Sequence, residues 1–147
     1  MRSVVVALAI VAFANVSAAQ DPAKKTFEPS VGQPGKDVVW VPTSASLVQK
    51  MLDLANVTAQ DEVMDLGSGD GRTVIAAAKR GARARGIEYN QEMVDLSIAN
   101  AKAEGVSERA TFAKADLFET DLSKATVITM FLLTDINLRL RPTLLTL

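Results

Sequence analysis

The sequence contains no cysteine and no histidine. The first absence excludes disulfides and thiol nucleophiles. The second excludes imidazole acid–base chemistry, and together they remove most zinc sites. Aromatic residues are scarce, at 5% of the chain, with one tryptophan, Trp40. Neither sign of charge dominates: 16 Lys and Arg stand against 17 Asp and Glu. A nucleic-acid partner is therefore not expected, because the basic footprint it needs is missing. There is no internal repeat. A chain of 147 residues that is 48% hydrophobic suits one globular domain and is too short for two ordinary ones.

What is present falls into three regions. Residues 1–19 read as a secretory signal peptide: Arg2, an apolar core from Val4 to Phe13, then small residues up to Ala19. The core is shorter than the ~20 residues of a spanning helix. Cleaved, this segment implies an exported or periplasmic protein. Left uncleaved, it associates the chain with a membrane. Residues 20–42 carry Pro22, Pro29, Gly32, Pro34 and Gly35, the composition of an extended leader or linker. The domain proper is read as 43–147.

Within it, Thr43 and Ser44 are helix caps ahead of Leu47, Val48, Met51, Leu52 and Ala55 at helical spacing. Residues 62–66 form a short strand and 72–81 a helix closed by Gly81. Residues 82–89 form a second strand, and Asn90 caps a helix that ends at Gly105. A third strand spans 109–116. The apolar run 125–133 reads as a long strand buried on both faces. A helix begins at Thr134, with Pro142 late in it. Strands alternating with helices at this spacing predict a parallel α/β sheet.

The stretch "VMDLGSGDGR", Val63 to Arg72, sets three glycines at alternate positions between the first strand and the next helix. Such a turn lets a ligand approach the backbone at a helix N-terminus. The dinucleotide fingerprint G-x-G-x-x-G requires a third glycine where this chain has Arg72. The observed pattern is D-x-G-x-G-x-G, led by Asp65. A carboxylate inside the strand end suits a cationic ligand, and Asp70 in the loop repels phosphates. S-adenosylmethionine, with an ammonium and a sulfonium, is such a ligand. Glu88, at the end of the second strand, can accept both ribose hydroxyls of an adenosine. Asp116, at the end of the third, can accept from the adenine amino group.

Residues Thr43 to Thr146 resemble a class I S-adenosylmethionine-dependent methyltransferase. "VMDLGSGDGR" is similar to that family's first motif, "GIEYN" to its acidic second motif and "AKADLF" to its adenine-side motif. Together with "WVPTS" they resemble a subgroup that includes membrane-associated protein lysine methyltransferases and exported bacterial relatives. The resemblance implies that Gly67, Ser68, Gly69 and Gly71 shape the methionine site and that Asp65 receives the ammonium. It also implies that Glu88 holds the ribose, Tyr89 flanks the adenine, Asp116 and Leu117 complete the adenine pocket, and Thr43 closes over the methionine end. S-adenosylhomocysteine is the expected product, and it, not NAD, is expected to bind.

That family's sheet has seven strands, and this chain supplies about four. The expected fold is thus a Rossmann-like parallel sheet truncated after the fourth strand, with an open apolar edge prone to self-association. No catalytic residue is assigned, and a D/N-P-P-Y motif is absent from the fourth strand. The expected activity is methyl transfer to a protein lysine or else to a small molecule. A non-catalytic cofactor-binding module or an inactive fragment is the alternative, and a nucleotide-dependent oxidoreductase is disfavoured by Arg72.

Overall fold

A computed structural model of the chain describes residues 27–147. The expected signal peptide and the start of the leader lie outside the described residues. Among the described residues no helix is long and apolar enough to cross a membrane. The elements alternate: α1 (Ala45–Leu54), β1 (Glu62–Leu66), α2 (Arg72–Lys79), β2 (Arg83–Glu88), α3 (Gln91–Ala103), β3 (Ala110–Lys114), β4 (Val127–Met130) and α4 (Thr134–Leu144). The four strands form one all-parallel sheet in the order β3-β2-β1-β4.

Local chemistry sets the boundaries. The Ser44 hydroxyl accepts from the Leu47 N–H at 3.3 Å and starts α1. Asn90 Oδ1 accepts from the N–H groups of Glu92 (2.8 Å) and Met93 (3.4 Å) and starts α3. Gly81 (φ +92°) and Gly105 (φ +69°) follow the ends of α2 and α3 in the left-handed conformation that stops a helix.

The period-two alternation of β1 divides the core. Val63, with Ala84 and Ala110 on the neighbouring strands, meets Val48 and Leu52 of α1 and Val74 and Ala78 of α2. Met64 and Leu66, with Ile87 of β2, face the opposite way and meet Ile136 and Leu140 of α4. Helices therefore lie on both faces, as parallel strands require.

Two expectations need correction. The fourth strand is four residues long, not nine, and of its residues only Thr129 is buried. It pairs with β1 alone, and among the described residues its outer edge has no strand partner. Phe131, Leu132 and Leu133 leave the sheet and turn towards the strands' C-terminal ends. The third strand stops at Lys114, so Asp116 stands in the loop beyond it.

Candidate functional site

Because all four strands run the same way, their C-terminal ends open on one edge, where a cleft of about 300 Å³ lies. It contains nine of the ten residues singled out in the sequence: Thr43 ahead of α1, Asp65 and the loop residues Gly67, Ser68 and Gly69, Glu88 and Tyr89 at the end of β2, and Asp116 and Leu117 after β3. Gly71 does not line it. A Cβ on Gly71 would lie 2.7 Å from Phe112 and 2.9 Å from Ser97, so this glycine serves the packing of α2 against α3 and β3.

The glycine loop faces inward. The N–H groups of Gly67 (2.9 Å) and Ser68 (3.0 Å) both donate to the Ile87 carbonyl, and that of Gly71 donates to the Ser68 carbonyl (2.9 Å). The Gly69 N–H donates to Glu88 Oε2 at 3.0 Å. With these donors spent inside the fold, the loop is a poor phosphate cradle, in agreement with the acidic reading of its sequence. From α3, the Ser97 hydroxyl donates to the Gly69 carbonyl (2.9 Å) and the Asn100 amide to the Asp70 carbonyl (3.0 Å). Ser68 Oγ is buried against Gly86 with no hydrogen-bond partner.

Asp65 is the most perturbed group in the cleft. It is buried, and its Oδ1 accepts from the Thr129 hydroxyl at 2.7 Å. Burial pushes its carboxyl up to about 7. The hydroxyls of Thr129 and Thr73 oppose that rise, while the nearby charges of Glu88 and Asp70 add to it. A carboxyl so placed gains from a cation delivered beside it. Glu88 has a double duty: besides Gly69, its Oε1 accepts from the Asn90 N–H at 2.9 Å. Each oxygen keeps a lone pair for a ligand hydroxyl. The same carboxylate thus holds the loop and the start of α3 in place.

The extended leader forms part of the site. Residues 33–42 run as a strap along the cleft. Trp40, half-buried, places its indole where a Cβ of Gly69 would come within 2.6 Å of Nε1. Arg72, in the slot where a dinucleotide site has glycine, binds Asp70 through two nitrogens (2.9 and 2.5 Å) and donates to the Thr43 carbonyl (2.8 Å). It ties the strap to the glycine loop. Thr43 is buried there. On the far side, Lys36 pairs with Asp116 and stands 4.8 Å from the centre of the Tyr89 ring. The Lys36 ammonium, then the Phe118 N–H, hold the Asp116 carboxyl below the usual carboxylate range.

Sequence reasoning left Lys36, Thr129, Ser97 and Asn100 without site roles. Ser97 was findable: with Met93 and Ala101 it lies on one helical stripe, a hydroxyl on a buried face. Lys36 had no such signal, since only the folded strap brings it to Asp116.

The family model described as the ANTKMT methyltransferase domain matches residues 65–147. A protein-lysine N-methyltransferase of Saccharolobus islandicus is 47% identical over 109 residues, covering 73% of this chain and 68% of that protein. A lysine N-methyltransferase of Xenopus laevis, named for its action on ATP synthase, is 37% identical over 92 residues, 63% of this chain but 40% of that protein. The crystal structure of an RNA methyltransferase from Salinibacter ruber with S-adenosyl-L-homocysteine superposes with a TM-score of 0.71 at 48% identity. It covers 72% of this chain and 70% of that one.

Proposed function

Because the chain belongs to the ANTKMT methyltransferase family and is an S-adenosylmethionine-dependent methyltransferase, we propose that its acceptor is a protein lysine. The cofactor supplies an activated methyl group that the acceptor takes by in-line displacement. The residues fit it: Asp65 is a buried carboxyl suited to the ammonium, and Glu88 retains acceptor capacity for the ribose. Asp116, Leu117 and Tyr89 form the adenine end, and the loop offers no phosphate cradle.

The observation that carries the lysine reading is the wall beyond β4. Phe131, Leu132 and Leu133 line the cleft there, apolar and without a titratable group. Phe131 and Leu133 are about half exposed, so a lysine laid against this wall loses part of its water, which favours the neutral amine, the form that can attack a methyl group. Positioning then does most of the remaining work, and this chain needs no histidine for it. The names of the archaeal and amphibian relatives, both lysine methyltransferases, support the same acceptor.

The remaining parts of the reading rest on sequence and surface. Residues 1–19 export the chain or, uncleaved, anchor it to a membrane. The outer edge of β4, with the exposed Leu138 and Leu145 that share a groove with Met130, is a surface for self-association that light scattering would detect. The acceptor is tested with methyl-tritiated S-adenosylmethionine and an extract of the source cells. Label recovered as methyl-lysine after acid hydrolysis is the expected result. Label recovered only in nucleosides after nuclease digestion would sink it.

A further inference from the structure

The strap carries a feature that the methyltransferase reading does not use. Residues 32–40 double back on themselves: the Gly32 N–H donates to the Trp40 carbonyl (2.8 Å), the Trp40 N–H to the Gln33 carbonyl (2.9 Å) and the Gly35 N–H to the Val38 carbonyl (3.0 Å). Pro34 and Val39 are bridged across this narrow loop. Lys36 stands at its tip. The loop is fixed on either side of that tip, by Trp40 against Gly69 and by Asp37, 3.8 Å from Arg139. Arg139 in turn lies over the Phe118 ring at 3.9 Å.

At the tip, Lys36 meets two residues assigned to the adenine. Asp116 Oδ1 accepts from the Phe118 N–H at 2.9 Å and Oδ2 from the Lys36 ammonium; each oxygen keeps a lone pair, so what an adenine would contest is the place of the ammonium beside Asp116, not the last acceptor. The same ammonium faces the Tyr89 ring at cation–π distance. An adenine bound here would donate its amino group to Asp116 and lay its ring against Tyr89. Lys36 makes both kinds of contact itself, as a hydrogen-bond donor to one and an electropositive partner to the other.

We propose that Lys36 sets cofactor affinity as a competitor: its ammonium occupies the adenine end of the cleft in the free protein and gives up its place beside Asp116 and the Tyr89 ring when the cofactor engages them. The proposal rests on the assignment of Asp116 and Tyr89 to the adenine. A lysine that instead helped to bind the cofactor would give the opposite sign on removal. Because the pair is partly exposed, its weight is modest and salt-sensitive.

The test is titration calorimetry with S-adenosylhomocysteine on the wild type, Lys36→Met, Asp116→Asn and the double variant, each with its unliganded melting temperature. Lys36→Met is expected to bind about two- to fivefold more tightly, the range of an exposed ion pair, with an unliganded melting temperature lower by a few degrees at most, because the pair that gives way to the cofactor also stabilises the free protein. The gain is expected to shrink in high salt and to fall to what the Tyr89 contact alone contributes when Lys36→Met is made in the Asp116→Asn background. Weaker or unchanged binding by Lys36→Met overturns the competition. Asp116 is judged separately, by comparing the double variant with Lys36→Met. Weaker binding by the double variant supports the adenine assignment, and equal binding removes it and the proposal with it.

Discussion

Thr129 and Asp65 stand opposite each other in the register of β4 and β1, and the threonine hydroxyl donates a 2.7 Å hydrogen bond to the buried carboxyl. The bond crosses from the edge strand to the strand that delivers the glycine loop. Since a buried carboxylate needs donors, Thr129→Val should cost about 1–3 kcal/mol, the penalty for stranding such a group. The loss should be larger at pH 8 than at pH 5, because Thr129 favours the ionised form of Asp65. Thr129→Ser should restore most of it. Urea unfolding at the two pH values checks this; equal losses would show that the bond does not follow the carboxyl's charge.

Asp65 also links folding to pH. Its carboxyl titrates at 3.8 when unperturbed and at about 7 in the fold. The folded protein therefore holds a proton that the unfolded chain releases. The associated stability is complete below about pH 4 and is lost as the pH rises through 7, a swing on the order of 2–4 kcal/mol. Asp65→Asn should flatten that part of the profile and make the free protein more stable at pH 8, while weakening S-adenosylhomocysteine binding. In the wild type, a ligand ammonium beside Asp65 should expel its proton. Calorimetry near pH 6.5 in buffers of different ionisation enthalpy should record proton release, and binding should tighten from pH 5.5 to 8. No proton release would show that the ammonium binds elsewhere.

Glu88 joins stability to binding. Its two oxygens hold the N–H groups of Gly69 and Asn90, so Glu88→Ala should lower the stability of the free protein, seen as a lower melting temperature, as well as ligand affinity, each by about 1–3 kcal/mol. Glu88→Gln keeps one acceptor oxygen and should lose less of both. If Glu88→Ala weakens binding with no change in melting, the two backbone contacts contribute nothing.

Much of this arrangement could be read without coordinates because it is decided locally. Ser44, Asn90, Gly81 and Gly105 act within a turn of their own positions. Asp65, next to last in β1, and Glu88, last in β2, are placed by their own strands. The apolar run 125–133 misled on length and burial, though not on its open edge, because composition does not reveal where a strand leaves its sheet. β4 joins only β1, and Phe131 to Leu133 turn out of the sheet to wall the cleft. The strap escaped as well. Pro34 and Gly35 predict an extended segment, but its seat depends on the Trp40 indole meeting Gly69 and Lys36 meeting Asp116, across long separations in sequence. Glycines 67, 69 and 71 look equivalent on paper and are separated only by what each one touches.

That separation gives the last prediction. Gly69 and Gly71 both have positive φ, +55° and +82°, so any side chain there incurs about 1–2 kcal/mol of backbone strain. The neighbours then differ. A Cβ on Gly71 meets Phe112 and Ser97 at 2.7–2.9 Å, between elements that cannot separate without opening the core. A Cβ on Gly69 meets the Trp40 indole at 2.6 Å, on a half-buried strap that can shift. Gly71→Ala should therefore cost about 1–3 kcal/mol beyond the strain, as overpacking does. Gly69→Ala should cost little more than the strain, but it should move Trp40 and weaken S-adenosylhomocysteine binding. Trp40 is the only tryptophan in the sequence, so its fluorescence reports the displacement without interference. Melting curves, emission spectra and calorimetry on the two variants separate the cases. A Gly71→Ala protein that melts like the wild type and has lost only its ligand would show that this glycine faces the cleft after all.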